Sequence, residues 1–134
     1  MSNFYKSPIV YEGRSYPTVE HAFQAAKTRN EEAHEKIRLA GTPNKAKSLG
    51  RKVNLREDWE EVKYGIMEKF VTLKFTQNKE LLGKLRNIPD EQLSEYNRHH
   101  DCIWGICICE KCNGKGTDYL GDILRNLKKT HCQP

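Results

Sequence analysis

Apolar positions along the chain recur mostly at helical spacing. After Pro17, the residues Val19, Ala22, Phe23 and Ala26 fall three or four apart, which predicts a helix with one face on the core. Thr18 is a good N-cap, and Glu20 lies in the first turn, where the helix dipole favours an acid. A second helix is predicted after Asn30, with Ala33, Ile37 and Ala40 inward and Gly41 as its stop. Thr42-Pro43 pairs an N-cap with proline at the first helical position, opening a short helix that carries Ala46 and Leu49 towards Gly50. The longest periodic stretch, 57–74, sets Trp59, Val62, Ile66, Phe70 and Leu73 on one face. Asn78 is expected to cap a helix bearing Leu81, Leu82 and Leu85. Residues 118–129 form a last helix with Leu120, Ile123, Leu124 and Leu127 inward. Strand signals are few. Ile9-Val10-Tyr11, the turn formers Glu12-Gly13-Arg14, and Ser15-Tyr16 predict a short β-hairpin, and 93–109 reads as extended or irregular. The pattern predicts a mainly α fold with a small β element (α+β), in a single domain over residues 1–134.

Composition narrows the class. Apolar residues make up 37% and charged residues 31%, which is polar but globular. No apolar run approaches the roughly eighteen residues of a membrane span, and no signal-peptide segment follows Met1. The expectation is a cytoplasmic protein with no membrane partner and no obligate protein partner. The net charge of +5 is compatible with a phosphate-bearing partner.

Several groups could carry chemistry. Glu20, Gln24 and Lys27 are spaced i, i+4, i+7 and share one helical stripe. An exposed charged face explains that spacing; so does a carboxylate and an amine lining one pocket. Asp101 near Trp104-Gly105 reads either as a loop acid beside a core indole or as a carboxylate beside an aromatic plate. Gly121 sits inside a predicted helix, where glycine costs about 1 kcal/mol relative to alanine, so something approaches closely there. Helix packing and a ligand are both open. Cys107-x-Cys109-x-x-Cys112 could supply part of a structural zinc site, with His99, His100, His131 and Cys132 nearby in sequence. It is only half of a usual zinc pattern, so reduced thiols are the preferred reading. Asn113-Gly114-Lys115-Gly116 is too short for a phosphate-binding P-loop.

These pieces stand in an order that resembles the NADAR family, in its YbiA-like group. Ser2-Asn3-Phe4-Tyr5 is similar to the family's opening S-N-F-Y, and Tyr16-Pro17-Thr18-Val19-Glu20-His21-Ala22-Phe23-Gln24-Ala25-Ala26-Lys27 to its Y-P-T-V-E-H-A-F-Q-A-A-K signature. Ala46 to Gly50 resembles A-x-x-x-G. Trp59, Lys63 and Met67 resemble W-x-x-x-K-x-x-x-M, and Lys74-Phe75-x-Gln77-Asn78 with Leu81 resembles K-F-x-Q-N-x-x-L. Asp101-x-x-Trp104-Gly105 and Gly116-x-x-x-Leu120-Gly121 with Leu124 complete the set. Lys6 replaces a usual Pro, and Asp118 stands where the family often has Asn.

The resemblance implies a compact NADAR-like domain that cleaves N-glycosidic bonds. Its implied substrates are ADP-ribose on guanine in DNA or RNA, placed there by DarT-type toxins, or ribosylamino-pyrimidine phosphates of riboflavin synthesis. A non-catalytic ADP-ribose or NAD-binding module is the alternative from another class. The expected partner is thus ADP-ribosylated nucleic acid or an ADP-ribose-like small molecule. The implied catalytic residues are Glu20 for proton transfer, Lys27 as nucleophile or charge, and Asp101 for the ribose. Asn3, Phe4, Tyr5, His21, Gln24, Trp104, Gly105 and Gly121 are expected to bind substrate. No metal belongs to this site and no cofactor is required; a structural zinc on Cys107, Cys109 and Cys112 remains the less favoured reading of those thiols.

Overall fold

The structure is a computed structural model and describes residues 2–98 and 100–131, with the side chain of His131 left aside. His99 and Cys132, two of the zinc donors considered from sequence, lie outside the described residues, as does the His131 side chain. The fold is mainly α with a small β element, as the sequence predicts: six helices and two two-stranded sheets among the described residues. The chain divides into two compact units, Met1–Asn78 and Lys79–Pro134. No described helix is long and apolar enough to cross a membrane.

The first unit opens on a hairpin, β1 (Ile9–Tyr11) against β2 (Arg14–Tyr16), with Ile9 opposite Tyr16. The turn holds only Glu12 and Gly13, both at positive φ (51° and 78°), which matches the right-handed twist of the strands. Arg14, expected in the turn, belongs to β2. Four helices follow: α1 (Val19–Ala25), α2 (Glu31–Arg38), α3 (Pro43–Gly50) and α4 (Trp59–Gln77). The caps fall where the sequence puts them. Thr18, Asn30 and Thr42 accept from the backbone N–H of His21, Ala33 and Lys45 respectively. Gly41 is not the stop of α2, which ends three residues earlier at Arg38.

Helix α1 packs on α2, α3 and α4, so all of its residues are buried. Phe23 meets Trp59 with ring centroids 5.1 Å apart, and Tyr11 meets Phe70 edge-on at 5.2 Å. The buried face of α4 differs from the expected one. Trp59 and Phe70 are buried as predicted, but Val62, Ile66 and Leu73 are half-buried, and Met67, Val71, Lys74 and Phe75 take their place. The end of α4 finishes the hairpin. The Gln77 amide donates to the Val10 carbonyl and accepts from the Val10 N–H, both at 2.8 Å, pairing the outer edge of β1. Asn78 acts backwards: its Nδ2 donates to the carbonyls of Lys74 (2.8 Å) and Pro8 (3.3 Å) at the end of α4.

The second unit holds α5 (Lys79–Arg86), a 3₁₀ turn (Asp90–Gln92), β3 (Tyr96–Asn97), β4 (Ile106–Cys107) and α6 (Tyr119–His131). Strands β3 and β4 pair in parallel, within the stretch read as extended or irregular. Leu81, Leu85, Leu93, Cys107, Leu124 and Leu127 are buried.

Candidate active site

The stripe read from spacing as either solvated or functional is buried at its first two members. Glu20 is 7% exposed and Gln24 is 4% exposed. Burial follows from the position of α1, enclosed by three helices, rather than from any local signal. Gln24 Nε2 donates to Glu20 Oε1 at 2.8 Å. Gln24 Oε1 has no hydrogen-bond partner among the described residues, because it faces the bare Cα of Gly50 at the end of α3. Lys27 is not on the helix. Helix α1 ends at Ala25, and Lys27 sits in the following turn, its N–H bonded to the Gln24 carbonyl (3.2 Å) and its carbonyl to Arg56 N–H (2.7 Å). Ala26, expected to face the core, is the half-buried C-cap.

Electrostatics distinguish this corner. Burial raises the Glu20 carboxyl above its ordinary range, while the Gln24 hydrogen bond and the charges of Lys47 and Lys27 pull it back. Burial lowers the Lys27 ammonium, against the attraction of Glu20 and with repulsion from Arg51 and Lys47 adding to the fall. Two groups on one corner are thus drawn towards each other's titration range. Lys47 of α3 and Arg51, its C-cap, carry basic charge to that corner and were missed in the sequence. Their i, i+4 spacing was a weak signal, buried among many surface lysines.

The opening Ser2-Asn3-Phe4-Tyr5 segment is tied over the start of α1. The Asn3 carbonyl accepts from Glu20 N–H at 3.1 Å, and Asn3 Nδ2 reaches Met67 Sδ at 3.4 Å. The buried Lys74 ammonium donates to the Ser2 carbonyl at 2.8 Å and lies 5.7 Å from the Tyr5 ring centroid. The half-buried Phe4 ring lies 5.9 Å from Lys47 Nζ, on the same side as the Glu20 corner's cations. His21 is held within the fold. Its ring, 1% exposed, accepts from the Thr18 hydroxyl through Nδ1 (2.8 Å) and donates through Nε2 to the Ala40 carbonyl (2.9 Å). Nδ1 braces the N-cap of α1, and Nε2 ties α1 to the segment that follows α2.

In the second unit, Asp101 shapes its own corner. Its Oδ1 accepts from the N–H groups of Ile103 (3.2 Å) and Trp104 (3.0 Å). Trp104 is half-buried and meets Tyr119 edge-on, centroids 6.1 Å apart. Gly105 and Gly121 have internal reasons for lacking a side chain. A Cβ on Gly105 would fall 2.2 Å from the Glu95 carbonyl oxygen, and one on Gly121 would fall 2.3 Å from Asp118 Oδ2. The Asp118 carboxylate lies in the space beside Gly121 and also accepts from Glu95 N–H at 3.1 Å.

A separate cavity of about 810 Å³ in the first unit is lined by Tyr11, Ala22, Ala26, His34, Ile66 and Phe70 among others. None of the catalytic or substrate-binding residues expected from sequence lines it. The perturbed carboxyl and amine at Glu20 and Lys27 therefore mark the candidate site, not cavity size.

A helical fold with such a corner defines a class on comparison with known proteins. The NADAR domain model matches residues 1–130, and the chain belongs to the NADAR family. It is similar to N-glycosidase YbiA of Escherichia coli, 37% identical over 130 residues, covering 96% of this chain and 78% of that protein. It is also similar to a riboflavin biosynthesis protein of Vibrio vulnificus, 31% identical over 131 residues, covering 96% of this chain and 34% of that larger protein. Among solved structures, the NMR structure of E. coli YbiA superposes with a TM-score of 0.77 at 33% identity, over 98% of this chain and 76% of that one.

Proposed function

We propose that this protein is an N-glycosidase that hydrolyses the bond between a ribose C1 and a nitrogen of a heterocycle, on a substrate carrying phosphate. The observation that supports this best is the buried Glu20 carboxyl, raised by burial, beside the Lys27 amine, lowered by burial. The reaction needs both. Protonated Glu20 donates to the departing nitrogen as the C1–N bond breaks with its electron pair going to nitrogen. Lys27, in its amine form, adds to C1 as that bond breaks; the C1–ring-oxygen bond then opens as the lysine nitrogen forms the C1=N Schiff base and its proton passes to the ring oxygen, and water hydrolyses the Schiff base to free the amine and the C1 hydroxyl as the ring recloses. The sum is one water consumed, an N–H and a C1 hydroxyl formed. Lys47 and Arg51 supply cations for the substrate phosphate, and Phe4 offers a ring for a base. A non-catalytic ADP-ribose or NAD binder would gain nothing from an acid and an amine held out of their ordinary ranges.

ADP-ribose on guanine in nucleic acid is the first substrate reading, and the +5 charge suits such a polyanion. Ribosylamino-pyrimidine phosphates are the second, favoured by the name of the Vibrio relative. The deciding experiment compares initial rates on a guanine-ADP-ribosylated oligonucleotide and on the ribosylamino-pyrimidine phosphate, with Lys47→Ala in parallel. Release from at least one substrate is expected, with KM raised in the variant. Binding of both substrates without release would overturn the enzymatic reading in favour of the binder.

A further inference from the structure

Cys107, Cys109 and Cys112 of the second unit do not sit apart on a loop. Cys107, Cys109, Cys112 and His100 bring their ligand atoms within 4.8 Å of one another. His100 Nδ1 lies 3.4 Å from Cys112 Sγ, 3.4 Å from Cys109 Sγ and 4.0 Å from Cys107 Sγ, and the Cys107 and Cys109 sulfurs are 3.2 Å apart. Tetrahedral zinc with Zn–S near 2.3 Å and Zn–N near 2.0 Å sets its ligand atoms about 3.6 Å (S···N) and about 3.8 Å (S···S) apart. The three His100–sulfur separations bracket the first value, and the Cys107–Cys109 sulfurs, at 3.2 Å, lie closer than the second. A disulfide does not explain the group, since bonded sulfurs lie about 2.05 Å apart and all of these cysteines are free.

The backbone is bent to serve the cluster. Asn113 and Gly114 both take positive φ, 49° and 78°, and fold the Cys109–Cys112 turn back so that Asn113 N–H bonds the Cys109 carbonyl (2.8 Å) and Gly114 N–H the Cys107 carbonyl (2.9 Å). His100 is itself held at φ 68°, and its N–H points at Cys107 Sγ at 3.3 Å, a donor for a thiolate. His100 is the ligand that sequence spacing did not single out from its neighbours, because it lies seven residues before Cys107 and is brought in by the parallel pairing of β3 and β4.

We propose that His100, Cys107, Cys109 and Cys112 form a structural Zn(II) site. Four protein ligands close the tetrahedron and leave no open position, so the metal holds structure and takes no part in the reaction. Binding releases the thiol protons: zinc takes three thiolates and one neutral imidazole, giving a centre of charge −1. Its structural consequence is specific. The site anchors residue 100, immediately before Asp101, and so steadies the corner where Asp101 Oδ1 holds the N–H groups of Ile103 and Trp104. The inference is independent of the proposed glycosidase activity.

The full chain, purified under reducing conditions, is expected to hold one zinc per molecule by elemental analysis. Cys112→Ser and His100→Ala are each expected to weaken zinc binding at least about tenfold, and His100→Cys to restore it. The wild-type protein is also titrated with Co(II), a readout that does not depend on the folding of any variant. Intense thiolate-to-cobalt charge transfer with tetrahedral d–d bands is expected at one equivalent. Chelation should then speed hydrogen exchange at the Ile103 and Trp104 amides. A wild-type protein that takes up neither zinc nor tetrahedral cobalt overturns the site, as does a folded Cys112→Ser variant that binds zinc as tightly as wild type.

Discussion

Gly50→Ala tests whether the seam between α1 and α3 sets the chemistry of Glu20. Gly50 has ordinary helical geometry, so helix propensity alone predicts that alanine stabilises by about 1 kcal/mol. The packing predicts the reverse. A Cβ on Gly50 would lie 2.0 Å from Gln24 Oε1, 2.9 Å from its Cδ and 3.1 Å from its Cβ. Relief needs about 1.5 Å of movement to reach normal contact. Gln24 is 4% exposed, and its other amide atom is spent on Glu20 at 2.8 Å. Overpacking costs about 1–3 kcal/mol, and losing a hydrogen bond to an acidic partner costs about 1.5 kcal/mol. Offset by propensity, the net is about 2 kcal/mol of destabilisation, a fall in Tm of about 8 °C for a chain of this size. The same displacement strips Glu20 of its donor, so kcat falls as well. Thermal melts and steady-state kinetics of Gly50→Ala, of Gln24→Ala and of the double variant measure both effects. The double variant should lose less stability than the two singles added together, because the clash is gone. A Gly50→Ala protein that melts at or above wild type with unchanged kcat refutes the reasoning.

Two further variants probe the site itself. Glu20 has its folded pKa raised above the ordinary 4.5, so its protonated form contributes stability that is fully present below the unfolded value and is lost as pH rises through the folded one. Glu20→Gln keeps an oxygen to accept from Gln24 but never ionises. It is expected to melt above wild type at pH 7, with the difference vanishing as pH falls below about 4, while turnover drops by at least about 10²-fold. A variant less stable than wild type at pH 7 refutes the burial argument. Borohydride added during turnover is expected to trap substrate on Lys27, with no adduct and no turnover in Lys27→Ala. An active enzyme that yields no adduct assigns Lys27 an electrostatic role instead.

Much of the candidate site was legible as identity but not as environment. The i, i+4 spacing of Glu20 and Gln24 places them together on α1, yet the same spacing describes an exposed stripe on countless helices. Lys27 looked like the next member of that stripe, but α1 ends at Ala25, where Ala26 caps it and Lys27 turns back to bond Gln24 and Arg56. His21 and Gly121 stood out as ligand contacts, and both are used by neighbours within the fold: Thr18 and Ala40 for the imidazole, Asp118 for the glycine. Lys47 gave only the weak signal of its spacing to Arg51, because one lysine among many is chemically unremarked until its surroundings are known.

By itself the sequence determined what short-range chemistry decides. Thr18, Asn30 and Thr42 cap the helices they precede, because a side-chain oxygen needs only the N–H groups of the next turn. The turn formers from Glu12 announce the hairpin, which Glu12 and Gly13 alone close at positive φ while Arg14 joins β2. The ordered motifs also determined family membership. Tertiary structure decided everything that depends on distant partners. It buried Glu20 by packing three helices around α1, and it rotated the buried face of α4 from Val62 and Ile66 to Met67 and Val71. It carried His100 across to three thiols that spacing had left as half a metal site. Burial and ligand convergence arise from contacts between segments far apart in the chain, and local periodicity holds no record of them.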